Sequence, residues 1–199
     1  MYPLIETIKI IDGNSQNLEW HQRRFTSSIS QYYGKRSTYK LEDLILIPEE
    51  YSRGIVKARF SYNAAEYLWK FESYVLQEIN SLKIIYDDNI DYQLKYSDRS
   101  YLKNLFQKKG ECDDILIVKN GMITDTSYCN IVFFDGTNWI TPRFPLLKGT
   151  CRERLLKQKN IQEEIIKPDQ LDSFTSFKLI NAMRDLNDIK ALPVSQIFP

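Results

Sequence analysis

The chain has 199 residues, long enough for one large domain or two small ones with a real core, and its 27 basic and 26 acidic side chains nearly cancel. That balance, with no basic cluster beyond pairs such as Lys35-Arg36 and Lys108-Lys109, excludes a nucleic-acid footprint, and no apolar run approaches the roughly 20 residues of a membrane span. Three scattered cysteines (Cys112, Cys129 and Cys151) and one histidine, His21, argue against a disulfide framework, a metal site or a histidine-based relay.

The amino terminus, MYPLIETIKI, lacks a basic region followed by a long apolar run, so no signal peptide is expected and a reducing cytoplasm is the simplest compartment. Residues 5 to 11 alternate weakly up to the Asp12-Gly13 turn. A helical pattern follows, with Trp20, Phe25, Ile29 and Tyr32 roughly on one face, and Gly34 closes it. His21 and Arg24 lie three apart, on neighbouring positions of that helix. After a polar link, Leu41 to Ile47 forms a short amphipathic piece stopped by Pro48. GIVKARFSYN then alternates cleanly, with Val56, Ala58, Phe60 and Tyr62 facing one way and Lys57, Arg59 and Ser61 the other, as in a half-buried strand. Two more strands, Tyr67 to Leu76 and Leu82 to Tyr86, complete a small α+β unit over residues 1–88. The polar Asp87-Asp88-Asn89 reads as the link to a second domain, 89–199.

In the second domain, Ser97 or Asp98 can cap a helix carrying Tyr101, Leu102, Leu105 and Phe106, which leaves Lys95 at the helix mouth. Strand-like runs follow at 115–118, 122–124, 130–134 and 139–141, with Asn120-Gly121 and Asp135-Gly136 as turn signals between them. One carboxylate, Asp125, stands at the seam of these ladders, in a polar break that is either a solvated bend or a place where the strands hold Asp125 against positive charge. The segment LLKGTCRERLLKQ passes through Gly149 into a helix whose first turn holds Thr150 and Cys151, and the N–H groups of such a turn favour an anion such as phosphate. A strand-like SFKLINAM and a closing LPVSQI end the chain.

Four segments in this order resemble one family, the class IV or fold-type IV pyridoxal-phosphate aminotransferases. H-Q-R-R-F is similar to the family's H-x-x-R-[LF], and K-Y-S-D-R-S-Y-L to its lysine segment. D-D-I-L-I-V-K-N-G-M-I-T-D-T-S-Y-C-N-I-V-F resembles its central motif, and T-P-R-F-P-L-L-K-G-T-C-R its T-P-x(n)-L-x-G-I-T-R. The resemblance implies a two-domain α+β fold like that of D-amino acid aminotransferase, with a small N-terminal α+β domain and a larger C-terminal α/β domain rich in antiparallel strands. It implies pyridoxal 5'-phosphate as cofactor, with Lys95 as Schiff-base lysine and proton shuttle. Arg24 and the backbone N–H groups at the Gly149-Thr150-Cys151 turn would hold the phosphate. Asp125 would pair with the pyridinium nitrogen. Asn181 is a further cofactor candidate, and Arg59, Arg99 and Asn130 are candidates for the substrate.

Within the family, the K-x-x-[ND]-R pattern from Lys95 to Arg99 looks more like 4-amino-4-deoxychorismate lyase, which eliminates pyruvate to give 4-aminobenzoate for folate synthesis. The alternatives are a branched-chain or D-amino-acid transaminase and a non-catalytic relative. Two departures motivate the last of these: Asp125 stands where the family usually has Glu, and G-T-C stands for G-I-T. The resemblance also implies a small amino substrate and a homodimer, to which Tyr32, Tyr33 and Trp69 could contribute.

Overall fold

The computed structural model describes residues 1–199 and divides into two compact units, Met1–Leu76 with Leu94–Asp98, and Gln77–Gln93 with Arg99–Pro199. The first unit opens with β1 (Leu4–Ile11) and β2 (Asn14–Ser15), then α1 (Leu18–Tyr33) and a single turn, α2 (Leu41–Leu44). Two long strands follow, β3 (Ile55–Tyr62) and β4 (Tyr67–Ser73). The sheet is antiparallel in the order β2-β1-β3-β4, with Ile8 opposite Ala58 and Phe60 opposite Trp69. Alternation puts Leu4, Ile8, Ile10, Val56, Ala58, Phe60 and Tyr62 on one face. The buried face of α1 closes over it, setting the Phe25 ring edge-on to Phe60 and Tyr62, with centroids 5.7 and 4.8 Å away.

The second unit begins with β5 (Leu82–Tyr86) and continues through α3 (Ser100–Phe106), β6 (Asp114–Lys119), β7 (Met122–Thr126), β8 (Asn130–Phe134) and β9 (Trp139–Pro142). After α4 (Thr150–Lys157) come β10 (Gln162–Glu164), β11 (Ser176–Ile180), β12 (Leu192–Pro193) and β13 (Ile197–Phe198). The nine-stranded sheet takes the path β10-β9-β8-β7-β6-β5-β13, with β11 pairing β8 and β12. Asn120 (φ 51°) and Gly121 (φ 73°) are both left-handed, which lets two residues reverse the chain between β6 and β7. β7 and β8 pair only at Asp125 and Asn130, so the ladders on either side meet at that pair. One apolar cluster, centred on Leu116, Ile131, Phe133 and Phe177, fills one side of the sheet, and a second gathers Val132, Cys151, Leu155 and Ile180 around α4.

The boundary differs from the one expected near residue 88. Leu82–Tyr86 runs parallel to Asp114–Val118, a pairing with a partner some thirty residues on, so it belongs to the second unit. The chain then returns to the first unit for Leu94–Asp98, where Ile5 N–H donates to the Lys95 carbonyl at 3.0 Å and Ser97 N–H to the Pro3 carbonyl at 2.7 Å. Because that extended pairing runs through Ser97, the following helix starts late. Its N-cap is Arg99, with no side-chain cap bond, in place of Ser97 or Asp98. No helix is long and apolar enough to cross a membrane.

Candidate functional site

In the first unit the expected residue Arg24 meets Glu6, which the sequence motifs did not single out, and Lys95 lies within electrostatic reach of His21 beside them. Glu6 occupies the inward phase of β1 between Leu4 and Ile8 and is fully enclosed. Its carboxylate accepts from His21 Nδ1 at 2.7 Å, from Arg24 Nε at 2.8 Å and from Arg24 Nη2 at 2.5 Å. Burial works against its charge, yet Arg24 and His21 override that and hold the carboxyl down to about 2. An ionised carboxylate only accepts, so His21 presents Nδ1–H to it. Burial also keeps the imidazole neutral by lowering its pKa against the pull of Glu6, with Arg24 and Lys95 adding repulsion. Lys95 is thus within electrostatic reach of this cluster, on a segment strapped to β1. Arg59 lies on the other face of β3, where Nε reaches Ser61 Oγ at 3.4 Å and Nη2 reaches Ser97 Oγ at 3.3 Å.

The second unit assembles Asp125, Asn130, Gly149 and Thr150. Asp125 is buried, and both of its oxygens take neutral donors: Asn130 Nδ2 at 2.8 Å and Leu147 N–H at 2.9 Å. Asn130 Nδ2 also donates to the Leu147 carbonyl at 2.9 Å, so one amide clamps the strand seam to the loop that leads into α4. Burial pushes the Asp125 carboxyl up to about 6, against these hydrogen bonds and the field of Arg152. A carboxylate enclosed in this way favours a cationic partner. Arg152, itself buried, fixes the position of α4 through the Pro142 carbonyl and Glu163, each at 2.9 Å from Nη2.

Gly149 is the N-cap of α4, and a Cβ built there would lie 2.0 Å from Asn130 Oδ1. Only glycine fits against that amide. The buried Thr150 places its hydroxyl at the same helix start. Cys151 turns the other way, into the cluster of Val132, Leu155 and Ile180, with Sγ 4.0 Å from the Arg184 carbonyl. Burial, reinforced by Asp185, pushes this thiol up to about 12. Cys151 can therefore offer an anion its backbone N–H but not its side chain.

Three other expected residues are engaged differently. Asn130, a substrate candidate, spends its N–H groups on Asp125 and Leu147. Asn181, a cofactor candidate, shapes its own turn: Oδ1 accepts the Met183 N–H at 2.8 Å and Nδ2 lies 3.1 Å from Cys129 Sγ. Arg99 donates through Nη2 to the Ser127 carbonyl, while its buried Nε has no partner.

These pKa directions make a prediction for the cofactor-free protein. Folded Asp125 keeps its proton to about pH 6, whereas the unfolded chain releases it near 3.8, so between those values the folded state binds more protons and stability falls as pH rises. Asp125→Asn removes this contribution and adds only a pH-independent cost for the mismatched amide. The variant should gain on the wild type by up to about 3 kcal/mol as the pH is raised from about 4 to about 6.5. Urea unfolding of both proteins across that range measures the difference; parallel stability curves would refute it.

Comparison with known proteins bears on this geometry. The profile described as amino-transferase class IV matches residues 93–192. An uncharacterized protein of Haemophilus influenzae is 40% identical over 188 residues, covering 94% of this chain and 100% of that one. A structure from Haemophilus somnus 129pt, provisionally named a 4-amino-4-deoxychorismate lyase, is 36% identical with a TM-score of 0.87, covering 94% of this chain and 98% of its own. A hypothetical aminotransferase from Mycobacterium tuberculosis, in a PLP-bound form, shares the fold alone, at 14% identity and a TM-score of 0.75 over 98% of this chain and 81% of its own.

Proposed function

This chain belongs to the class IV aminotransferase family, and we propose that it is a pyridoxal-phosphate enzyme that eliminates pyruvate from 4-amino-4-deoxychorismate to leave 4-aminobenzoate. The observation that carries the cofactor reading is Asp125, a buried carboxylate bonded only to neutral N–H donors and close to a helix start that offers the Thr150 hydroxyl. That donor and acceptor set fits a phosphorylated, protonated pyridine: a carboxylate for the ring N–H and an N-terminal turn for the phosphate. The lyase reading is supported by the 36% identity to the Haemophilus somnus protein and by the K-Y-S-D-R segment at Lys95.

Bound pyridoxal phosphate supplies an electron sink for the charge that develops at the substrate's α carbon. Lys95 would carry the cofactor covalently and move the proton at that carbon. Arg24 would be one holder of a phosphate, and in the second unit the backbone N–H groups of Thr150 and Cys151, with the Thr150 hydroxyl, would offer donors that suit such an anion. Asp125 would keep the ring nitrogen protonated. Arg59, whose bonds to Ser61 and Ser97 are long, gives up little to take a substrate carboxylate.

The elimination needs no second substrate, because the atoms of aminodeoxychorismate divide completely between pyruvate and 4-aminobenzoate. A transaminase, by contrast, needs a 2-oxo acid to receive the amino group. Cofactor-loaded protein given aminodeoxychorismate alone should release the two products in equal amounts. If no 4-aminobenzoate forms and amino groups pass from amino acids to 2-oxoglutarate, the protein is a transaminase instead.

A further inference from the structure

Glu6 stands where the alternation of β1 calls for an apolar side chain, between Leu4 and Ile8 on the face that α1 covers. Stability gives little reason for a charge there, since replacing a buried ion pair with packed apolar groups is commonly neutral or favourable. Its bonding pattern gives a better one. Glu6 takes the Nε and Nη2 hydrogens of Arg24 together, which fixes the plane of the guanidinium. His21 holds Oε2 from the other side at 2.7 Å, so the carboxylate cannot rotate without breaking a buried bond. The chain of support runs from His21 through Glu6 to Arg24, all between β1 and the first turns of α1.

We propose that Glu6, braced by His21, is a positioning residue that sets the direction in which Arg24 presents its other donors to the cofactor phosphate. This rests on the assignment of Arg24 to the phosphate made above. It explains why the helix carries His21 and Arg24 one turn apart, since both must reach the same carboxylate on β1. It also explains why the brace is a histidine: a neutral imidazole adds a donor to Glu6 without adding a second positive charge.

The test separates the phosphate from the rest of the cofactor. Cofactor-free protein is titrated with pyridoxal phosphate and, separately, with pyridoxal, which lacks the phosphate, by quenching of tryptophan fluorescence. In Glu6→Gln the dissociation constant for pyridoxal phosphate should rise about tenfold, as when other groups that orient a binding residue are removed, while that for pyridoxal stays at the wild-type value. Equal weakening of both ligands would mean that Glu6 merely supports the fold, and no change in either would mean that Arg24 needs no positioning; each overturns the proposal. Should Glu6→Gln not fold, Glu6→Asp keeps the charge and withdraws it by one methylene. The same selective loss, smaller, is expected there, and an unchanged ratio of the two constants overturns the proposal. Arg24→Lys tests the underlying assignment on its own. If it leaves the ratio unchanged, Arg24 does not bind the phosphate; if it lowers the preference for the phosphorylated ligand while the Glu6 variants do not, only the role of Glu6 fails.

Discussion

Lys95→Ala is expected to abolish the near-ultraviolet to visible absorption band of the cofactor-loaded protein and to lower turnover by about 10⁴-fold. The size of the effect follows from the two roles joined in one amine, since the residue that carries the cofactor also moves the proton. The fold should survive. Lys95 is held to β1 by its backbone carbonyl, through Ile5 N–H at 3.0 Å, and its side chain is only partly buried, so alanine leaves that pairing intact. Unfolding free energy should change by less than about 1 kcal/mol, as for most substitutions outside the core. Lys95→Arg is the matching control: it keeps the positive charge near His21 but provides no nucleophilic amine, and it should lose the band as fully as alanine does. A band that persists in both variants would move the covalent role to another lysine and sink this assignment.

The features legible in the sequence are those set by neighbours along the chain. Alternation in Val56, Ala58, Phe60 and Tyr62 marks β3, and the Asn120-Gly121 pair marks the hairpin between β6 and β7, because both signals are local. The placement of Asp125 at a seam was also readable, from apolar runs on both sides. The partners were not. Glu6 meets His21 and Arg24 across 15 and 18 residues, and only the register of α1 over β1 brings them together. One signal was available: a glutamate in phase with Leu4, Ile8 and Ile10 must find a buried cation or N–H. The division at Leu76 was hidden for the same reason, since the parallel pairing of β5 with β6 leaves no mark in the residues between them. The amide of Asn130, a substrate candidate from the resemblance, lies on Asp125 and the Leu147 carbonyl, a pairing set by the seam of β7 and β8 and by the loop before α4.

Gly149→Ala should be the most damaging one-methyl change in the second unit. The backbone there (φ −67°, ψ 142°) suits any residue, so the cost comes from packing alone. The new Cβ would lie 2.0 Å from Asn130 Oδ1 and 3.2 Å from its Cγ. Asn130 cannot swing aside cheaply, because its Nδ2 holds Asp125 at 2.8 Å and the Leu147 carbonyl at 2.9 Å. Either those two bonds break, leaving a buried carboxylate short of a donor, or the start of α4 is pushed away from the seam. Overpacking and a lost bond to a charged group together amount to about 2–4 kcal/mol. Both routes disturb Asp125 and the Thr150 turn at once, so affinity for pyridoxal phosphate should fall with stability. The double variant Gly149→Ala, Asn130→Ala identifies the cause. Removing the amide relieves the clash, so Gly149→Ala should cost at least about 1 kcal/mol less in the Asn130→Ala background than in the wild type, as urea unfolding of the four cofactor-free proteins would show. Equal costs in the two backgrounds would mean that the methyl group acts somewhere other than on Asn130, and the coupling of helix start to carboxylate through that one amide would be wrong.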